Sequence, residues 1–145
     1  MFILDTNVVS EIRKIRLGTA HPNVALWADS VNASSLYLSV ISLLELELGI
    51  LQLERKDPRQ GDIIRRWLES SVLPAFEDRI LPVDMRVARC CASLHVPDPR
   101  SERDAMIAAT ARVHGMTVVT RNQSDFERTG VPLLNPWHAH PAGTS

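Results

Sequence analysis

The chain is short of most features that would assign it a class at sight. Its two cysteines, Cys90 and Cys91, are adjacent, and neighbouring residues bridge poorly. Two cysteines in 145 residues make no disulfide framework, so a reducing, cytoplasmic setting is expected. Aromatic residues are only 5% of the chain, and there is no excess of one charge: 16 basic against 17 acidic residues leave a net charge of -1. That excludes a histone-like coat for nucleic acid; any nucleic-acid chemistry must sit in a local site. Long apolar runs are missing too. The richest window, Leu36 to Leu53, is interrupted by Glu45 and Glu47, so it is no membrane span. The start, MFILDTNVVSEIRK, lacks the basic-then-apolar pattern of a secretory leader. What remains is 45% hydrophobic and 23% charged, an ordinary globular balance of one domain's length. The reading is a single domain over residues 1–137 and a tail at 138–145.

Short apolar runs alternate with helical patterns. Phe2-Ile3-Leu4 reads as a buried strand, followed by a short helix through Val8-Val9 to Ile12 and a second near Val24–Ala28, with Pro22 in its first turn. Leu36–Val40 is a second strand. Ser42 with Glu45 three residues later resembles a capping box, which predicts a helix over about 42–54. Arg55–Gly61 reads as a polar loop before a helix around Ile63–Leu68. Ile80–Val83 is a third strand, Asp84–His95 a helix, and Pro97-Asp98-Pro99-Arg100 a break. Ser101-x-x-Asp104 opens a last helix that Gly115 stops; Thr117–Thr120 is a fourth strand and Leu133-Leu134 a short fifth. Strand and helix in alternation predict an α/β fold with a central parallel sheet of four to five strands, flanked by helices on both faces.

In such a sheet the strand C-terminal ends share one edge, where ligands bind. Asp5 directly follows strand one, Glu45 follows strand two, Asp104 opens the helix before strand four, and Asn122 and Asp125 follow strand four. Each acid alone is explained by helix capping or a turn. Capping does not explain why they gather at one edge. Clustered carboxylates repel and persist where a cation holds them, and an all-oxygen donor set favours Mg2+ or Mn2+. Such ions in an open site suit phosphodiester hydrolysis.

On these residues the chain resembles the PIN-domain ribonucleases of the VapC/FitB-like group of type II toxin–antitoxin systems. The matching segments are ILDTNVVSE at 3–11, SLLELELG at 42–49, RDAMIAATARVHGMTVVTRNQSDF at 103–126 and GVPLLNPW at 130–137. The resemblance implies the PIN fold and a metal-dependent endoribonuclease acting as a toxin. It puts Asp5, Glu45 and Asp104 on the acidic metal and catalytic positions, with Thr6, Asn7 and Thr120 supporting them. The fourth acid of the family falls directly after Thr-Arg or three residues later. Here those positions hold Asn122 and Asp125, and Asp125 is favoured because it alone keeps a charge. The implied partners are an RNA substrate, a small cognate antitoxin that blocks the acidic edge, and operator DNA reached only through the antitoxin, since the chain has no basic reading helix.

Other features have plainer readings. Cys90-Cys91 reads as core packing, His138-x-His140 as solvated tail, and His95 and His114 as helix C-terminal cations. Glu47 lies about 200° around the helix from Glu45, so only one can face the site. Arg13, Lys14 and Arg121 are candidates to grip RNA phosphates. The leucines at 43, 44, 46, 48, 51 and 53 are too many sides for one thin sheet to cover, which predicts an apolar patch and a homodimer. Two competing readings are a receiver-like signalling domain, which wants a second acid beside Asp5 and a Lys beyond Lys56, and a catalytically weak PIN-like protein acting mainly through antitoxin and DNA.

Overall fold

A computed structural model of the chain describes residues 1–139. Five parallel strands, β1 (Phe2–Leu4), β2 (Leu36–Ser39), β3 (Ile80–Leu81), β4 (Thr117–Val119) and β5 (Leu133–Leu134), lie in the order β3-β2-β1-β4-β5. The chain builds outward from β1 to one side, then crosses over to β4 on the other. The order therefore reverses at β1, and the crevice beyond β1 and β4 is where such sheets bind ligands.

Side-chain alternation along β1 divides the core in two. Ile3 and Val118 face α6 (Met85–Leu94) and α7 (Glu102–His114). Leu4, Leu38 and Val119 face α1 (Thr6–Arg13), α2 (Pro22–Ser30), α3 (Val40–Lys56) and α4 (Pro58–Trp67). Helix α7 buries Ala105, Ile107, Ala108, Ala109, Thr110 and Ala111, nearly all its circumference. Small side chains let it lie close to both the sheet and α6. It stops at Gly115, whose φ of +67° is the left-handed cap that glycine adopts without a Cβ clash.

The local signals in α3 and α4 were partly misleading. Helix α3 starts at Val40, two residues before the expected start, because Ser39 and not Ser42 is the cap: its hydroxyl accepts from the Ile41 N–H at 3.0 Å. Ser42 is buried inside the helix and donates to the Leu4 carbonyl at 3.4 Å, tying α3 to β1. Glu45 thus lies in the second turn of α3, not the first. Residues 55–61 are not a loop. A single residue, Asp57, separates α3 from α4, closing the first by its N–H to Leu53 O and capping the second by accepting from the Gln60 N–H, with Pro58 in the first turn. A polar stretch with a proline read as a loop because helix caps and turns draw on the same residues. From Trp67 the helix continues through a π turn (Leu68–Val72) into α5 (Leu73–Ala75). Arg65 on α4 clamps the hairpin, reaching Glu47 at 2.7 Å and Glu54 at 3.3 Å.

Strand β3 is two residues long where four were expected, and β4 ends one residue early, at Val119. Pro82 supplies no N–H to extend the first ladder. Cys91 is buried against Val87 and Leu94, and burial pushes its thiol further from ionisation, as core packing requires. No helix among the described residues is long and apolar enough to cross a membrane.

Candidate active site

Asp5 ends β1 and caps α1 in one residue. Its N–H continues the sheet to Val119 O at 2.9 Å, while its carboxylate accepts from the Thr6 N–H at 2.8 Å. The same carboxylate accepts from Thr120 Oγ1 at 2.8 Å and Asn7 Nδ2 at 3.2 Å. It is 7% exposed. Capping is therefore real, but it uses one oxygen, and the other is held by groups from two strand ends. Burial raises the Asp5 pKa; the hydrogen bonds from Thr120 and Thr6 oppose that shift, and the charges of Glu45 and Asp125 add to it. Among the described residues Asp5 pairs with no cationic side chain.

The flanking residues each make two connections. Thr120 is fully buried, and its Oγ1 also accepts from the Asn122 N–H at 3.0 Å. Asn7 Oδ1 accepts from the Arg121 N–H at 3.3 Å, lacing the end of β1 to the end of β4. Thr6 Oγ1 donates to Glu45 Oε1 at 2.7 Å, fixing the glutamate over the same edge. Glu47 points away to Arg65, as the helical spacing required.

Asp104 stands in the first turn of α7. Its pKa is pushed up to about 6, first by burial and then by the charges of Asp5, Asp125 and Glu45. Ser101 precedes the helix without capping its backbone, and a hydrogen bond from its side chain to Asp104 opposes the shift. Asp125 lies in the short 3-10 turn Gln123–Phe126, exposed, where its charge is felt by both Asp5 and Asp104. Asn122 takes part through its backbone N–H; its side chain makes no cap bond to that turn. The structure thus gathers Asp5, Glu45, Asp104 and Asp125 with Thr6, Asn7 and Thr120 at one sheet edge.

Two residues were not singled out by the sequence. Arg103 Nη1 lies 3.6 Å from Glu45 Oε2, an ion pair half open to solvent. Its only signal was its place beside Asp104. Asn135 donates to the Arg121 carbonyl at 3.2 Å, bracing the end of β4 from the strand beyond it. The expected RNA-gripping residues separate. Arg121 stands at the acidic edge, next to Thr120. Arg13 and Lys14 lie at the far end of α1, roughly 12 Å along its axis from Asp5. Arg13 sits 5.9 Å over the Trp67 ring and lines a cavity of about 540 Å³ with Val9, Ile12 and Phe76, while Lys14 pairs with Glu11 at 3.2 Å. His140 lies outside the described residues.

Among the described residues no three acidic, histidine or cysteine side chains are grouped so that they could together hold a metal ion. A hard cation does not need such a group: Mg2+ commonly takes one or two carboxylates and keeps its waters. The donor set is all oxygen, Asp5 is buried without a cationic partner among the described residues, and burial and then the neighbouring carboxylates raise the Asp104 pKa to about 6. Each of these strains is relieved by a divalent cation, so the residues fit one.

Known proteins resemble this chain in sequence and fold. The VapC ribonuclease Y4jK of Sinorhizobium fredii is 39% identical, over 94% of this chain and 98% of that protein. Toxin FitB of Neisseria gonorrhoeae is 38% identical, over 95% and 99%. The solved structure of FitAB bound to an IR36 DNA fragment superposes with a TM-score of 0.86 at 35% identity, over 98% of this chain and 99% of that one. The family model of the PIN domain matches residues 2–132, and the chain belongs to the PIN domain family.

Proposed function

We propose that the chain is a Mg2+- or Mn2+-dependent endoribonuclease that acts in the cytoplasm as the toxin of a type II toxin–antitoxin pair. The observation that carries this reading is Asp5, a buried, uncompensated carboxylate at the point where the strand order reverses, with Glu45, Asp104 and Asp125 around it. Asp5 and Asp104 would hold the cation, with Glu45 and Asp125 as further ligands. When bound, such an ion activates a water and neutralises charge on the phosphate.

The chain's own residues prepare that site. Thr120, Asn7 and the Thr6 N–H fix the Asp5 carboxylate before anything binds, and the Thr6 hydroxyl sets the direction of Glu45. Pre-fixed ligands spare the ordering cost at the moment of reaction. Arg103 offers a positive charge beside Glu45 for an incoming phosphate. Hydrolysis forms a bond from water oxygen to phosphorus and breaks the P–O3′ bond, leaving 5′-phosphate and 3′-hydroxyl ends.

The partners follow the relatives. A small antitoxin, encoded beside the toxin, would cover the acidic edge, and operator DNA would be held by the antitoxin, as a FitAB assembly holds a DNA fragment. A second copy would cover the stripe Leu44, Leu48 and Leu51 on α3, which is 48%, 38% and 53% exposed.

The test is cleavage of labelled RNA by the purified chain with Mg2+, Mn2+ or EDTA. Cleavage that needs the ion and leaves 5′-phosphates is expected. Ends bearing 2′,3′-cyclic phosphate, or cleavage in EDTA, overturn the mechanism. No cleavage with either ion favours a chain acting mainly through antitoxin and DNA.

A further inference from the structure

Among the described residues Arg13, Arg79 and Arg121 each lie over an aromatic ring, and of these Arg121 is the exposed one and follows Thr120 at the acidic edge. It pairs with no carboxylate within 4 Å among the described residues; instead its guanidinium lies 5.2 Å over the ring of Trp137. The charge of Arg121 reaches Glu11, but that carboxylate is already bonded to the His21 N–H and to Lys14. Both members of the stack are fixed from behind. Asn135 donates to the Arg121 carbonyl at 3.2 Å and accepts from the Trp137 N–H at 2.9 Å. Asn23 holds the Trp137 carbonyl at 2.7 Å, and the indole packs on the core beside Leu134. The Arg121 N–H reaches Asn7, which itself holds Asp5. The backbone of Arg121 is therefore two hydrogen bonds from the central carboxylate, and its side chain leaves from that edge toward Trp137.

We propose that Arg121 stacked on Trp137 is a nucleobase-binding platform for the nucleotide next to the scissile phosphate of single-stranded RNA, a proposal that rests on the endoribonuclease reading above. The Arg121 side chain is exposed and the Trp137 ring beneath it is half-buried. Unpaired bases stack on guanidinium and aromatic planes, and RNA is read mainly through such splayed bases. Asn135 and His138, 3.4 Å apart at the rim, stand where the edge of a stacked base would fall. The platform gives a chain with a net charge of -1 a local means of holding RNA beside its acidic site.

The experiment uses a short fluorescent single-stranded RNA that the wild-type chain cleaves, and versions carrying one abasic ribose at each position in turn. Binding is read by fluorescence anisotropy in EDTA, and cleavage separately with Mg2+. One abasic position beside the cleaved bond is expected to weaken wild-type binding about tenfold, the order of a lost base stack. Arg121→Ala should weaken binding of the intact RNA by a similar factor and be indifferent to that abasic site. Arg121→Lys, which keeps the charge and loses the plane, should behave like Arg121→Ala. Full rescue by Arg121→Lys means a phosphate contact and overturns the platform, as does an abasic penalty that persists in Arg121→Ala. If the wild type cleaves RNA while these arms fail, only the platform falls; if it neither binds nor cleaves, the endoribonuclease reading falls with it.

Discussion

Asp104→Asn should make the metal-free protein more stable at neutral pH while abolishing RNA cleavage. Burial and the neighbouring carboxylates push the carboxyl up to about 6 in the folded chain, from the ordinary 3.8. A raised carboxyl pKa means the folded state holds the proton more tightly. The group therefore costs nothing below pH 3.8, its cost grows as pH rises from there to about 6, and the full cost stands above that. At about 1.4 kcal/mol per pH unit the upper bound is about 3 kcal/mol. Asp104 is only partly buried, so solvent screening brings this to about half. The substitution also removes a negative charge from the first turn of α7, which loses about 0.5 kcal/mol of favourable dipole interaction. A net gain of about 1 kcal/mol remains, or roughly 3 °C in Tm for a chain of this size. Thermal unfolding in EDTA at pH 4, 5.5 and 7.5 measures it. The variant should match wild type at pH 4 and exceed it at pH 7.5. Adding Mg2+ should then favour wild type, because ligand binding to the folded state alone stabilises it. A variant equal to or less stable than wild type at pH 7.5 in EDTA, or an offset independent of pH, would refute the claim that Asp104 is strained by its neighbours.

Asp125→Ala should lose more Mg2+-dependent cleavage than Asn122→Ala, because only Asp125 adds charge to the cluster; the reverse order in single-turnover rates would move the fourth ligand position to Asn122. Gly61→Ala should destabilise the chain by about 1–3 kcal/mol in urea unfolding, since a Cβ there would stand 2.7 Å from the Glu54 Cα and must push α3 and α4 apart; an unchanged midpoint would show that the hairpin yields freely. Light scattering of the purified chain should give twice the monomer mass, and Leu48→Glu should halve it; a concentration-independent 16.2 kDa for the wild type would leave the α3 stripe without a second copy.

The sheet and the acids could be read from the sequence because they rest on signals that act over long stretches. Five apolar runs, the left-handed glycine after α7 and the fall of acids at strand ends are each fixed by burial or by topology, and no local competitor changes them. Errors arose where one residue had two uses. The spacing to Glu45 marked Ser42 as the cap of α3, but Ser39, read as strand, caps it, and Ser42 is inside the helix, tied to Leu4. Asp57-Pro58 resembled a loop and is a hinge between two helices, because a cap and a turn ask for the same side chains. Within the site, capping and metal binding were set against each other as rival readings of Asp5. The structure shows that the cap takes one oxygen and leaves the other to Thr120 and Asn7, so a cap on Asp5 does not count against a ligand role. That sharing separates Asp5 from Asp104. Asn at 104 removes a strained charge that makes no cap bond, whereas Asn at 5 must turn an amide N–H toward a donor, either the Thr6 N–H or the Thr120 and Asn7 pair. Both variants should be inactive, but Asp5→Asn should also melt lower than wild type, by the 1–3 kcal/mol of a buried mismatched hydrogen bond. Spacing alone made the two aspartates equivalent; the number of donors around each is what distinguishes them.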